Sequence, residues 1–442
     1  MRQNKAVQKC CIYALKQHKN ILTKKKFGGI IIGKIHKDNC LLKEVSVMKR
    51  WKSVLAVAAA AAMVVSSFAG CGSKPKETEA QGTEGSSASQ AFKIGGIGPT
   101  TGGAAVYGQA VKNAAELAVD EINAAGGVNG VPFEFQFQDD EHDAEKAVNA
   151  YNALKDWGMQ ILMGTVTSAP CIAVVEKSQA DNMFQLTPSG SAVESIAYDN
   201  AFRVCFSDPN QGLASAQYIG ENKIASKIAV IYDSSDVYSS GIYEKFAAEA
   251  QNQNLEIVAA EAFTADSKTD FSVQLQKAKD SGAELVFLPI YYQEASLILT
   301  QANSMGYAPM FFGCDGLDGI LAVENFNTDL AEDVMLLTPF AADAEDEKTQ
   351  TFVKAYEEAY GETPNQFAAD AYDAIYIIKS AIEEGKVTPD MSVSDICEAM
   401  KGAMTSITYD GLTGEGMTWE ADGEPSKAPK AVKIVNGAYT AM

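Results

Sequence analysis

An α/β protein built as two lobes with parallel sheets is what the sequence predicts, on three observations. From Phe92 onward, short apolar runs alternate with amphipathic stretches of ten or more residues, the signature of βαβ units. That beat breaks at Arg203 to Gly212, where Ser207-Asp208-Pro209-Asn210 intervenes, and again near Thr338-Pro339-Phe340, so the units fall into two groups that the chain visits more than once. At 442 residues the chain also exceeds one ordinary domain of roughly 150 residues.

Ahead of the folded body comes an address. Met48-Lys-Arg-Trp-Lys opens a basic start, Ser53 to Ala69 is rich in Ala and Val and uncharged, and Gly70-Cys71-Gly72-Ser73 follows. A basic start, a short apolar stretch and small residues at the break describe a secretory signal peptide at 48–70. The context Phe68-Ala69-Gly70-Cys71 is similar to the bacterial lipobox, with Phe68 in place of the usual Leu, and implies lipidation of Cys71. Residues 71–91 hold few apolar side chains and read as a flexible tether. Residues 1–47, Lys-rich and weakly periodic, read as upstream sequence before a start at Met48.

Within the body, strands are expected at Phe92 to Ile97, Phe133 to Phe137, Gln160 to Met163, Ile228 to Tyr232, Glu256 to Ala260, Leu285 to Leu288 and Met310 to Gly313. Helices are expected at Val111 to Asn123, Ala144 to Lys155, Ala173 to Gln179, Gly241 to Asn252, Phe271 to Lys279, Glu345 to Tyr360 and Pro364 to Glu384. One lobe is assigned 92–206 with 340–412, the other 207–339 with 413–442.

Charge narrows the function. Residues 71–442 carry 22 basic and 55 acidic side chains, a balance that repels phosphate backbones and disfavours nucleic-acid binding. The eight cysteines show no C-x-x-C pair and no metal-ligand spacing; Cys171, Cys205, Cys314 and Cys397 lie in the body among apolar or small neighbours and read as buried thiols. Neither a metal nor a cofactor is expected. No phosphate-binding loop, H-E-x-x-H or G-x-S-x-G occurs, and the glycines at 96–102 miss the dinucleotide spacing. His142 is the only histidine beyond the signal region, which leaves a serine triad little to work with. Asp139-Asp140-Glu141 with Asp143 lacks EF-hand spacing and reads as a solvated acidic strand end.

In open α/β sheets ligands lie beyond the carboxyl ends of the strands. Gly164 to Pro170 and Thr187 to Ser191 are dense in hydroxyls and small residues, and each precedes a potential helix start. Free backbone N–H groups and hydroxyls there suit a carboxylate, although the same residues also serve as ordinary N-caps, and the loops alone leave both readings open. Asp315, in Cys314-Asp315-Gly316 after a strand, would offer an ammonium its counter-charge. Tyr107, Tyr238, Tyr291 and Tyr292 fall in comparable loops and bring apolar faces with polar tips.

At these residues the chain resembles a known family. Gly98-Pro99-Thr100-Thr101-Gly102, Tyr107-Gly108 and Ala118-Val-Asp-Glu-Ile-Asn-Ala-Ala-Gly-Gly-Val128 look like the opening of the leucine/isoleucine/valine-binding proteins of ABC importers. The similarity continues through Asp139-Asp140, Thr187-Pro188, Asp270-Phe271 and Ala368 to Ala374. It implies a type I periplasmic-binding fold with three crossings between the lobes, an amino-acid ligand and ABC permease partners. By the same resemblance Ser168 and Ser191 bind the carboxylate, a backbone carbonyl at Ser189 faces the ammonium, Asp315 pairs with it, and Tyr107, Tyr238 and Tyr291 line the pocket. Ser189 and Ser191 stand where relatives use Ala and Thr, and some relatives have Glu at the position of Asp315, so the ligand need not be leucine. The expected protein is therefore an extracytoplasmic, lipid-anchored solute-binding protein and not an enzyme. The rival readings are a ligand sensor of the same fold and a secreted hydrolase using Ser168 or Ser189.

Overall fold

The computed structural model describes residues 91–442. Residues 1–90, with the signal peptide, Cys71 and nearly all of the tether, lie outside the described residues.

The first sheet is wholly parallel and contains β1 (Phe92–Gly98), β2 (Phe133–Asp139), β3 (Ile161–Gly164), β4 (Gln185–Thr187) and β5 (Ala201–Arg203), in the order β2-β1-β3-β4-β5. Between its strands run α1 (Ala105–Ala124), α2 (Ala144–Trp157) and α3 (Ser168–Ala180). β1 and β3 are apolar runs rather than alternating ones because helices cover both faces. The acidic strand end acts as local punctuation: Asp139 accepts from Thr100 N and from the Thr101 hydroxyl, and Asp143 caps α2 by accepting from Lys146 N.

The chain then passes to the second sheet. Here the structure corrects the sequence reading, because Ser207-Asp208-Pro209-Asn210 is a helix start and not a break. Ser207 stands at the N-cap and Pro209 in the first turn of α4 (Asp208–Glu221), where a missing N–H costs nothing. β6 (Lys227–Asp233), α5 (Val237–Ala250), β7 (Glu256–Phe263), α6 (Ser272–Asp280), β8 (Leu285–Leu288), α7 (Tyr292–Ser304), β9 (Met310–Gly313) and β10 (Met335–Thr338) follow.

After β10 the chain returns to the first unit through α8 (Glu347–Tyr360), α9 (Gln366–Glu384) and α10 (Val393–Met404), with α9 packed along α1. Residues up to Lys427 still belong there: Trp419 Nε1 donates to Arg203 O at 2.7 Å, and Lys427 Nζ donates to Val204 O at 3.1 Å. The third passage thus falls just before β11 (Lys430–Val435), which with β12 (Ala438–Ala441) completes a seven-stranded sheet, β12-β11-β10-β9-β8-β6-β7. β11 and β12 run antiparallel to their neighbours, a mixed edge that the expectation of parallel sheets missed. Cys171, Cys205, Cys314 and Cys397 are buried free thiols. Among the described residues no helix is long and apolar enough to cross a membrane.

Candidate functional site

Three adjacent strands of each sheet, β1, β3 and β4 in the first and β6, β8 and β9 in the second, send their carboxyl ends to one place. All seven residues selected from the sequence, Tyr107, Ser168, Ser189, Ser191, Tyr238, Tyr291 and Asp315, line the same cavity. Several helices begin earlier than their apolar periodicity suggests, and this sets the geometry. α1 starts six residues before Val111, so Tyr107 sits in its first turn and not in a loop. α3 starts five residues before Ala173, so Ser168 is its first residue.

On the first-sheet wall the hydroxyls of Ser168 and Ser191 lie 3.4 Å apart, and Ser168 Oγ accepts from Ala192 N at 3.1 Å. The N-cap of α3, Thr167, makes no capping bond because its hydroxyl pairs with His142 Nδ1 at 2.9 Å. The first-turn N–H groups of α3 have no partners within the helix, so this wall combines two hydroxyls with the positive end of a helix dipole. The Ser189 hydroxyl turns away and donates to Val166 O at 2.7 Å.

The opposite wall carries the negative charge. Asp315 is buried, and its Oδ1 accepts from the Tyr238 hydroxyl at 2.7 Å. Gly316 makes that bond possible, since a Cβ there would stand 2.6 Å from the Tyr238 oxygen. Burial, only partly offset by the Tyr238 hydrogen bond, pushes the Asp315 carboxyl up to about 7. Tyr238 and Tyr291 stack with ring centroids 4.8 Å apart.

The walls also meet directly. Tyr107 donates its hydroxyl to Gly316 O at 2.5 Å and accepts from Tyr292 N at 3.3 Å. Gly108 allows the approach of α1 that places Tyr107, because a Cβ would lie 2.0 Å from Pro99 O. Only about 10 Å³ remains between the side chains in this arrangement, so admitting any organic molecule requires the second wall to move away from the first.

Sequence reasoning missed four contributors. Phe367 lines the cavity and packs on Tyr107 with centroids 4.2 Å apart, yet it arrives from the start of α9, far along the chain. Arg203, fully buried at the end of β5, donates to the carbonyl oxygens of Gly190, Ser191 and Ala192 at 3.2, 2.5 and 3.0 Å and so fixes the serine loop. Asp208, at the start of α4, has neither carboxylate oxygen hydrogen-bonded among the described residues, and burial pushes its carboxyl well up. Lys427 Nζ meets Asp370 Oδ1 at 2.7 Å in a buried pair below the site. A lone Arg in an apolar stretch was the available signal for Arg203; Lys427, among Glu424, Pro425, Ser426 and Lys430, offered none.

Comparison with known proteins agrees with this architecture. Residues 91–438 match the family model described as "Periplasmic binding protein". The chain is 29% identical over 332 residues to the leucine-, isoleucine-, valine-, threonine- and alanine-binding protein of Pseudomonas aeruginosa, covering 74% of this chain and 86% of that one. It is 30% identical over 305 residues to Leu/Ile/Val-binding protein homolog 3 of Brucella melitensis, covering 67% and 80%. Among solved structures, the branched-chain amino acid transporter substrate-binding protein LivJ of Streptococcus pneumoniae in complex with isoleucine superposes with a TM-score of 0.72 at 28% identity, over 79% of this chain and 98% of that one. Two α/β sheets joined by three passages, with a cleft between strand ends, make this chain a member of the type I periplasmic binding proteins, a family of solute-binding proteins and not of enzymes.

Proposed function

We propose that the protein binds a free amino acid, branched-chain or closely related, in the cleft between its two sheets and delivers it to an ABC permease. One observation carries the reading: paired hydroxyls at an uncapped helix N-terminus face a buried carboxylate across a tyrosine-lined gap. The ligand carboxylate rests on Ser168, Ser191 and the first N–H groups of α3, its ammonium meets Asp315 and the carbonyl of Ser189, and Tyr107, Tyr238 and Tyr291 with Phe367 enclose its side chain. The two lobes, whose last boundary lies just before β11 and not at 412/413 as the sequence reading had it, separate at the three passages to admit it and close because the ligand favours the closed form. A leader at 48–70 and lipidation at Cys71 would hold the protein on the outer face of the membrane. The test is calorimetric titration of residues 92–442 with the common amino acids. Tight binding of an aliphatic amino acid, but not of its amide or its N-acetyl derivative, is expected; equal binding of those derivatives would overturn the zwitterion reading.

A dependence on pH follows from Asp315. Its carboxyl titrates at about 7, above an unfolded value near 4. Below pH 7 the uncharged form is therefore favoured in the unliganded protein, and there a proton must leave before an ammonium can pair. Affinity should level off about one unit above pH 7 and fall by up to about tenfold per pH unit below pH 7. Proton release measured at pH 6 in buffers of different ionisation enthalpy checks this. The unliganded fold should respond in the opposite sense, with Asp315 contributing a cost that is full above pH 7 and relieved as pH falls toward 4.

A further inference from the structure

A second cavity, of about 670 Å³, lies beyond the Gly316–Asp318 segment and shares no lining residue with the first. Its size is that of small-molecule sites, roughly 300–1,000 Å³. The walls come from both sheets' units: Val106 and Ala110 of α1, Phe340, and Tyr356 of α8 on one side, Leu321 and Tyr439 on the other. Most of this surface is apolar or aromatic.

The ionisable groups that line it all have one sign. Asp343, Glu357 and Glu362 are exposed residues of the lining, Asp318 is 4% exposed, and among the described residues no Lys, Arg or His joins them. Asp318 is only half satisfied. Its Oδ2 accepts from Gln366 N at 2.8 Å, while Oδ1 has no hydrogen-bond partner among the described residues. The neighbouring Tyr439 hydroxyl accepts from Gly319 N at 3.0 Å, and its own proton, turned toward Asp318, helps Gln366 N to offset part of the burial of that carboxyl. Burial pushes the Asp318 carboxyl up to about 6, which still leaves it mostly charged at neutral pH. An unpaired buried carboxylate is costly unless something supplies the counter-charge.

We propose that this cavity is a second binding site, for an organic cation: an amine or quaternary ammonium with an apolar body, its charge toward Asp318 and its body against Phe340, Tyr356 and Tyr439. Aromatic faces and carboxylates together favour such ions, whereas an anion would meet four like charges. The site makes no use of Ser168, Ser191 or Asp315, so it does not depend on the identity of the amino-acid ligand. An occupant would tie the two units together at a place separate from the first cavity.

The probe is benzyltrimethylammonium chloride, titrated calorimetrically into residues 92–442, with 3-phenylpropanoate as an anion of similar bulk. Saturable one-to-one binding of the cation and none of the anion is expected. Asp318→Asn, which keeps an acceptor for Gln366 N, should weaken the cation at least tenfold. Ala342→Trp, which fills the cavity from a wall away from the carboxylate, should abolish binding and guards against a folding defect in the first variant. Asp315→Asn should leave cation binding unchanged. The proposal falls if the cation does not saturate, if the anion binds equally, if neither cavity variant weakens binding, or if only Asp315→Asn does.

Discussion

Replacing Asp315 with Asn should weaken amino-acid binding by at least about 10²-fold while leaving the protein folded. The carboxylate is the one acidic group that lines the first cavity, and removing it leaves a ligand ammonium desolvated without a counter-charge, a loss of roughly 3–5 kcal/mol. The unliganded protein should gain slightly in thermal stability, because the same carboxyl is raised by burial and its ionisation costs the fold. Calorimetry and thermal melting of the one variant therefore move in opposite directions. A variant that lost affinity and stability together would point to a structural role for Asp315 and against a ligand-pairing one.

Arg203→Met should cost about 3–5 kcal/mol of folding free energy, measured by urea denaturation. The guanidinium is fully buried and holds three consecutive carbonyls of the serine loop, with Glu424 at 3.4 Å as its ionic partner. Methionine fills much of the volume but leaves those carbonyls unsatisfied in the interior and half-buried Glu424 without its partner. In whatever fraction stays folded, the Ser191 hydroxyl loses its fixed position, and amino-acid affinity should fall although Arg203 touches no ligand. Glu424→Gln keeps the carbonyl contacts and should cost far less. Equal losses from the two variants would place the stabilisation in the ion pair.

The strand-end loops were legible in the sequence because their chemistry is local. A hydroxyl-rich turn after an apolar run names its own position relative to a strand, so the loops and Asp315 could be singled out before any fold was known, while Ser168, Ser189 and Ser191 were picked within those loops by the family resemblance. The helix starts were less legible. α1 opens with Ala105-Val106-Tyr107-Gly108, whose apolar periodicity is weak although the residues are helical. Phe367 could not be placed, since its meeting with Tyr107 depends on the chain's return to the first unit after β10. Arg203 and Asp208 were read as part of a break in the pattern at Arg203 to Gly212; burial inverted their meaning, turning one into a scaffold and the other into an unpaired carboxyl. β11 and β12 escaped because they are short and antiparallel, and a rule built on alternating strands and helices has no place for them.

The way the second sheet is completed bears on biogenesis. β10 and β11 are neighbours in the sheet yet are separated in sequence by the whole of α8, α9 and α10. During synthesis, therefore, Met335, Leu336 and Leu337 emerge with an unpaired edge, and their partner is made only in the last few residues of the chain. All five strands of the first sheet are made by Arg203, whereas its helices α8, α9 and α10 come later, and that same excursion delays β11 and β12 of the second sheet. Until β11 is made, an apolar strand edge must be kept from other chains.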